Sequence, residues 1–163
     1  MKRKLYLIRH SYAEEPGSKM DKERSLTLEG QSTVRALGRY LINQKFNPDK
    51  IFCSSAVRTT ETAINLTEEL GMNDHVISYL DVIYNASVRE MKEVLNGADT
   101  SMKEIAIIGH NPTITYFGEF LTTAGIGNME PCGVVTISFE GLDWSDISQG
   151  AGIFVSYYHP SHL

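Results

Sequence analysis

The sequence predicts an α/β protein built around a largely parallel sheet. Short apolar runs of β-favouring residues alternate with segments of helical periodicity, which is typical of parallel strands joined by crossover helices. Two later runs, Val134 to Phe139 and Ile153 to Tyr158, follow each other without a helix and predict an antiparallel pair at one side of the sheet. With 163 residues and no repeat or long linker, residues 1–163 are expected to form one domain.

The composition limits the class of partner. Hydrophobic residues make up 42% of the chain and charged residues 21%, which is ordinary for a globular protein. A net charge of -5 argues against a broad surface for nucleic acid or an anionic membrane. Any positive field should therefore be local and built from a few arginines, as in a phosphate pocket.

Cysteine, histidine and the N-terminal residues predict no disulfide framework, metal site or membrane segment. Cys53 and Cys132 lie far apart in or beside strand-like runs, as expected for buried small side chains. His75, His159 and His162 lack carboxylates or cysteines at a ligand spacing, so we expect neither a metal nor another cofactor. The basic start precedes an apolar run too short for a signal peptide or a spanning helix, which predicts a cytoplasmic protein.

The first strand, Lys4 to Ser11, ends in the polar pair Arg9-His10. The carboxyl ends of strands are where α/β sheets place their chemistry. Residues 12–25 lack apolar periodicity and predict a loop beside this pair, in a position where loops often shape a site.

An apolar periodicity over residues 31–46 predicts the first helix, with Thr27 as a candidate N-cap. Three places after Thr27 the sequence has Gly30 where a capping box would have Glu. The predicted buried face of this helix consists of Val34, Leu37, Leu41 and Ile42.

The second strand, Lys50 to Cys53, is followed by Ser54 and Ser55, whose hydroxyls are suited to cap a helix over about Ala56 to Leu70. Arg58 lies in the first turn of that helix. A cation is disfavoured at this positive end of the helix dipole, so Arg58 predicts an anion nearby.

A third strand is predicted at Val76 to Leu80. A helix is predicted at Ser87 to Leu95, where Ser87 and Glu90 have the spacing of a capping box.

The most apolar run, Glu104 to Gly109, predicts the fourth strand and leads into His110. Asn111 is expected to be the N-cap of the following helix and Pro112 its first residue.

Three strand-to-helix junctions thus carry related chemistry, namely Arg9-His10, Ser54-Ser55 with Arg58, and His110-Asn111. Right-handed crossovers bring the carboxyl ends of parallel strands to the same edge, so two arginines and two histidines should converge there. Helix N-termini at the same edge add backbone donors, and the cluster is best explained by a bound phosphoryl group.

The predicted chemistry is phosphoryl transfer through a histidine. Arg9 and Arg58 are expected to lower the pKa of His10 and so favour the neutral imidazole that a nucleophile needs. A backbone carbonyl is expected to hold the other ring nitrogen. The arginines and His110 would stabilise the phosphoryl oxygens without a metal, and water would then hydrolyse the phosphohistidine.

Three segments resemble motifs of one family. LIRHS resembles the Arg-His-Gly motif of the histidine phosphatase superfamily, CSSAVRTTETA its second-arginine signature and IIGHNP its second-histidine motif. The phrase RSLTLEG and the short length are most similar to the SixA-type phosphohistidine phosphatases. The resemblance implies a three-layer α/β/α, phosphoglycerate mutase-like fold around a mostly parallel mixed sheet, without a cap domain.

The resemblance also implies site roles. His10 would be the phospho-acceptor, and Arg9, Arg58 and His110 would complete the phosphate pocket. Arg24 matches an arginine of the short members that could reach the substrate. Ser11 and Asn111 are further candidate substrate contacts, although Ser11 replaces the usual glycine and Asn111 stands where some branches have an Asp.

A general acid is not evident in the sequence. Glu14, Glu15 and Asp21 in the loop are candidates, but solvated loop charges are the simpler interpretation. Because the nitrogen of a phosphoramidate leaves readily once protonated, whereas an alkoxide needs a proton donor, the sequence favours an N-phosphorylated substrate. Only about thirty residues separate Gly71 from the fourth strand, so an open pocket that admits a protein side chain is expected.

Several alternatives stay open. The chain is expected to act as a monomer on a phosphorylated protein or on a small phosphorylated molecule, and a phosphomonoesterase or a non-catalytic phosphate-binding module would use the same residues. A phosphomutase would need a more enclosed site. A serine hydrolase at His10-Ser11 is disfavoured because adjacent residues of an extended chain point to opposite sides.

Overall fold

The computed structural model describes residues 1–17 and 19–162, and it folds them around one six-stranded sheet. In chain order its helices and strands are β1 (Lys2–Arg9), α1 (Leu28–Asn43), β2 (Lys50–Ser54), α2 (Val57–Leu70), β3 (Ile77–Leu80), α3 (Val88–Asn96), β4 (Glu104–Gly109), α4 (Thr113–Thr122), β5 (Val134–Glu140) and β6 (Ile153–Tyr158). Short 3₁₀ turns join them, including Asp21–Glu23 and Asp81–Ile83.

The sheet has the order β3-β2-β4-β1-β5-β6. The pairs β1–β4, β2–β4 and β2–β3 are parallel, and β5 pairs antiparallel with both β1 and β6. The largely parallel sheet and the antiparallel pair β5–β6 are as the sequence predicts. The register places Arg9 opposite Gly109 and Cys53 opposite Ile108. The residues that follow these three strands therefore emerge side by side at one edge of the sheet.

Two hydrophobic cores confirm the three-layer arrangement. One face of the sheet is covered by α1 and α2 through residues such as Leu37 and Leu66, and the other by α3 and α4 through residues such as Leu95 and Phe117. Both free cysteines are buried in the first of these cores. In the described part of the chain, no helix combines the length and the apolar character needed to cross a bilayer.

Most predicted helix ends are confirmed. The Thr27 side chain accepts a hydrogen bond from the Gly30 N–H, and Ser87 and Glu90 form a complete capping box. The helix α2 ends at Gly71, whose φ of 66° is the left-handed conformation that favours glycine.

Several local predictions are wrong. The N-cap of α2 is Ala56, without a side-chain cap, because the Ser54 hydroxyl instead contacts His110 and accepts a hydrogen bond from the Ala56 N–H. The N-cap of α4 is Pro112 rather than Asn111. In α1 the side chain of Ile42 is 51% exposed, since it lies beside the buried stripe rather than in it.

Candidate active site

His10 follows β1 directly, and its backbone N–H donates to the carbonyl of Gly109 in β4. Its ring Nδ1 lies 2.7 Å from the carbonyl oxygen of Ser11. Since a carbonyl can only accept, Nδ1 carries the ring proton in the neutral imidazole, and Nε2 keeps its lone pair. This is the tautomer that a nucleophilic Nε2 requires, and the predicted backbone contact is present.

The surroundings of His10 lower its pKa to about 4. Burial is the largest cause, and the charges of Arg58, Arg9 and Arg24 act in the same direction, while the hydrogen bond to Ser11 opposes them. The sequence predicted the direction from the arginines, but burial contributes more. His10 is therefore neutral at pH 7.

His110, after β4, faces the same space. The ring centroids of His10 and His110 are 5.4 Å apart. His110 Nε2 lies 2.8 Å from the Ser54 hydroxyl, and its Nδ1 is buried without a hydrogen-bond partner among the described residues. Burial first, then the charges of His10 and Arg58, lower the pKa of His110 to about 3. A second neutral imidazole thus has a ring nitrogen that is shielded from solvent and has no hydrogen-bond partner among the described residues.

Arg9 is the last residue of β1 and directly precedes His10. One terminal nitrogen, Nη1, donates to the carbonyl of Met129 at 2.9 Å. Its Nε is buried and has no hydrogen-bond partner in the described ranges. Arg9 therefore has a fixed guanidinium with an unused donor beside the imidazole of His10.

Arg58 is buried in the first turn of α2, and the anion that its position predicts is Asp21. Nη1 of Arg58 donates to the Asp21 carbonyl at 2.7 Å, and Nη2 contacts the Asp21 carboxylate at 3.1 Å. Arg24 donates to the other carboxylate oxygen of Asp21 at 2.8 Å and, through Nε, to the carbonyl of Glu14. The charges of Arg9, Arg58 and Arg24, the three arginines named in the sequence analysis, all act on His10.

Sequence reasoning missed the role of Tyr84. Its hydroxyl donates to the Asp21 carboxylate, and its ring stands edge-on to the His110 ring with centroids 5.5 Å apart. Tyr84 lies in an irregular segment after the 3₁₀ turn Asp81–Ile83, so no periodicity marked it. Ser54 was noticed only as a helix cap.

The expected substrate contact of Ser11 is contradicted by its position. The side chain is fully buried, and its hydroxyl donates to the Gly30 carbonyl at 2.8 Å, beneath the pocket. Asn111 has its side-chain amide engaged with Asn128, Met129 and Thr115, so its contacts hold the segment before β5 against α4.

Two of the three candidate proton donors, Glu14 and Asp21, are held in the ionised form. Hydrogen bonds from Lys19 and Ser25 lower the pKa of Glu14 to about 2. Tyr84, followed by the arginines, holds the pKa of Asp21 far below its usual range. Neither carboxylate carries a proton to donate near neutral pH.

The remaining histidines have other surroundings. His75 is exposed, and the buried His159 contacts Ser161, Pro131 and Glu130. The side chain of His162 lies outside the described residues. Across the described ranges, no three His, Cys, Asp or Glu side chains form a group that could hold a metal ion.

Comparisons with known proteins agree with this geometry. The sequence model of the histidine phosphatase superfamily (branch 1) matches residues 5–93, a range that includes His10 and Arg58. MT1313 of Mycobacterium tuberculosis, a protein described as uncharacterized, is 22% identical over 162 residues, covering 94% of this chain and 99% of that protein.

Solved structures share the fold. A candidate phosphohistidine phosphatase, SixA, from Nakamurella multipartitia is 24% identical with a TM-score of 0.84, covering 98% of this chain and 97% of its own. The protein histidine phosphatase SixA in complex with tungstate is 20% identical with the same TM-score of 0.84, covering 98% and 99%. A mycobacterial glucosyl-3-phosphoglycerate phosphatase is more distant, at 17% identity and a TM-score of 0.66, covering 94% and 97%.

Proposed function

Because the chain belongs to the histidine phosphatase superfamily, we propose that it is a phosphatase that hydrolyses phosphohistidine on a protein, with His10 as the phospho-acceptor. The observation that carries this proposal is the tautomer of His10, whose Nδ1 is bonded to the Ser11 carbonyl so that Nε2 can attack. The arginines around it supply the positive charge that a phosphoryl group needs, and no metal is required.

The proposed reaction has two steps. Nε2 of His10 attacks phosphorus, the bond from phosphorus to the substrate nitrogen breaks, and the leaving imidazole departs with the proton on its own ring. Water then attacks the phosphorus on His10, releasing inorganic phosphate and the neutral imidazole. Arg9, Arg58 and the unpartnered Nδ1 of His110 would bind the phosphoryl oxygens in both steps.

The nature of the leaving group favours a phosphoramidate. Glu14 and Asp21 are ionised and have no proton for an alkoxide. A phosphoimidazole needs less help, because its second ring nitrogen can be protonated from solvent before the bond breaks. This supports nitrogen rather than oxygen as the atom released.

We expect a pocket that is open enough for a protein side chain. Between α2 and β4 the described chain contains β3, α3 and short 3₁₀ turns, which leaves little material to cover His10. Two of the structural relatives are described as SixA-type phosphatases, which supports a protein substrate. We further propose that the chain acts as a monomer in the cytoplasm.

The test is phosphate release from a protein phosphorylated on histidine, compared with release from sugar phosphates and phosphoglycerates. We expect turnover of the phosphohistidine protein, and loss of more than about a thousandfold in His10→Ala, as is usual when a nucleophile is removed. His75→Ala, in which an exposed histidine is removed, is the matched control and should retain activity.

Each alternative predicts a different result. Efficient hydrolysis of small phosphomonoesters with no effect on phosphohistidine would support the phosphomonoesterase instead, the activity described for one of the distant structural relatives. Binding of phosphate without any release would support the non-catalytic module. Quenching a reaction with labelled substrate in alkaline detergent, in which phosphohistidine is stable, should trap phosphate on wild-type protein and none on His10→Ala.

A further inference from the structure

The loop between β1 and α1 is anchored to the pocket by one acidic residue. Asp21 accepts four hydrogen bonds from three side chains. Its carbonyl and one carboxylate oxygen accept from Arg58, the other carboxylate oxygen accepts from Arg24, and Tyr84 donates to the oxygen that Arg58 contacts. The carboxylate is 53% exposed, so it lies at the mouth of the pocket rather than beneath it.

These contacts link the loop to groups near both histidines. Arg58 and Arg24 are among the charges that act on His10, and Tyr84 places its ring edge against His110. Lys22 adds a second attachment between the loop and this side of the pocket, since its ammonium lies 5.5 Å from the centre of the Tyr84 ring.

We propose that Asp21 is a positioning residue, which fixes the guanidinium groups of Arg58 and Arg24 and, through Tyr84, the ring of His110. The proposal rests on the proposed function for the reaction that these groups serve. A guanidinium has five N–H donors, and the two that Asp21 engages on Arg58 set the direction of the others. Phosphoryl transfer depends on such prior orientation, because misplaced donors do not reach the oxygens on which charge develops.

Two possible roles of Asp21, through its charge and through orientation of the arginines, predict opposite effects of its removal on phosphate binding. Loss of a carboxylate beside two arginines leaves the pocket more positive and should tighten the binding of any phosphate. If Asp21 acts by orientation, removal should weaken phosphate binding and slow turnover in spite of the gain in positive charge. The sign of the change therefore distinguishes the two roles.

The experiment compares Asp21→Asn with Glu23→Gln, which makes the same change of charge at an exposed position of the same 3₁₀ turn. The measurements are kcat and KM for the phosphohistidine protein and the dissociation constant for inorganic phosphate. In Asp21→Asn we expect kcat to fall about tenfold or more and phosphate to bind more weakly, with values within about twofold of wild type in Glu23→Gln. Asp21→Glu should recover part of kcat.

Tyr84→Phe distinguishes the loss of the contact with Asp21 from a folding defect. It keeps the ring and removes only the hydroxyl that donates to Asp21, so a smaller fall in kcat is expected without loss of thermal stability. Tighter phosphate binding with unchanged kcat in Asp21→Asn would overturn the proposal and make Asp21 a competitor of the substrate. The dissociation constant for inorganic phosphate reports on the arginines even if the wild-type protein does not hydrolyse phosphohistidine. Failure of the proposed function can therefore be distinguished from failure of the positioning role of Asp21.

Discussion

The imidazole of His110 has one hydrogen-bond contact among the described residues, with the hydroxyl of Ser54. Ser54 is the last residue of β2, and its Oγ lies 2.8 Å from Nε2 of His110. The register of β2 with β4 brings this serine level with the end of β4, one residue before His110. The contact therefore follows from strand pairing, and it directs the unpartnered Nδ1 of His110.

Ser54→Ala should lower kcat for phosphohistidine by about tenfold, because one lost hydrogen bond of about 1.4 kcal/mol corresponds to that factor in rate. Steady-state kinetics would check this, with Ser78→Ala on the edge strand β3 as the control. A variant as active as wild type would mean that the Ser54 hydroxyl does not orient His110 during the reaction.

Ser11 stands where the family has glycine, and its side chain serves the fold. The buried Ser11 hydroxyl donates to the Gly30 carbonyl, and the Ser11 backbone N–H donates to the Thr62 hydroxyl. Ser11→Ala should lower the free energy of unfolding by about 1–2 kcal/mol, since a buried carbonyl loses its donor. Denaturant titration measures this loss. The dissociation constant for inorganic phosphate should stay within about twofold of the wild-type value. A tenfold change would show that the Ser11 hydroxyl contacts bound phosphate.

At the scale of elements, the start of α1 touches the loop that leaves β1. A Cβ built on Gly30 would lie 2.1 Å from the carbonyl oxygen of Tyr12, a distance that no side chain can adopt. This explains why the position three residues after Thr27 is not the Glu of a capping box. The close approach accompanies the hydrogen bond from the Ser11 hydroxyl to the Gly30 carbonyl, which joins the start of α1 to the chain just after His10.

Gly30→Ala should therefore be strongly destabilising, because the clash is with backbone and neither segment can move without loss of packing. We expect a loss of about 3 kcal/mol in the free energy of unfolding, in the upper range for overpacked sites. Gly125→Ala is the matched control, since its Cβ would meet nothing within 4 Å. Equal stability of the two variants in thermal or denaturant unfolding would contradict the predicted contact.

Strands and caps were predictable because they depend on local pattern. The buried strands β1 and β4 contain the uninterrupted apolar runs 5–8 and 105–108, and Thr27 and Ser87 cap the helices α1 and α3. The start of α4 was not predicted correctly. Asn111 has the residue type of an N-cap, but its amide bonds to Asn128 and Met129, partners whose proximity no local pattern reveals.

At the scale of the whole molecule, topology explains why the pocket could be predicted. Parallel strands place the residues after β1, β2 and β4 at one edge, so the convergence of His10, Arg58 and His110 follows from the order of elements. The contacts of Asp21 and Tyr84 could not be predicted in this way. Both lie in loops, where the path of the chain depends on tertiary contacts rather than on a repeating pattern.

Two partly buried, neutral histidines make the whole molecule sensitive to acid. Their pKa values in the folded protein are about 4 for His10 and about 3 for His110, whereas an unfolded chain protonates histidine near 6.5. As the pH falls below 6.5, the unfolded state gains protons that the native state does not bind, so stability is complete above about pH 7 and declines toward pH 4. Each histidine contributes a slope of up to about 1.4 kcal/mol per pH unit.

The free energy of unfolding, measured by denaturant titration between pH 7.5 and 4.5, should therefore fall with decreasing pH, and His110→Gln should reduce the slope by about half. Phe117→Leu, a change in the buried core without a titrating group, should lower stability equally at every pH and keep the wild-type slope. Parallel lines for wild type and His110→Gln would show that His110 is not held neutral by burial. That result would mean that His110 has the same pKa in the folded protein as in the unfolded chain, so that half of the His110 rings would be charged near pH 6.5.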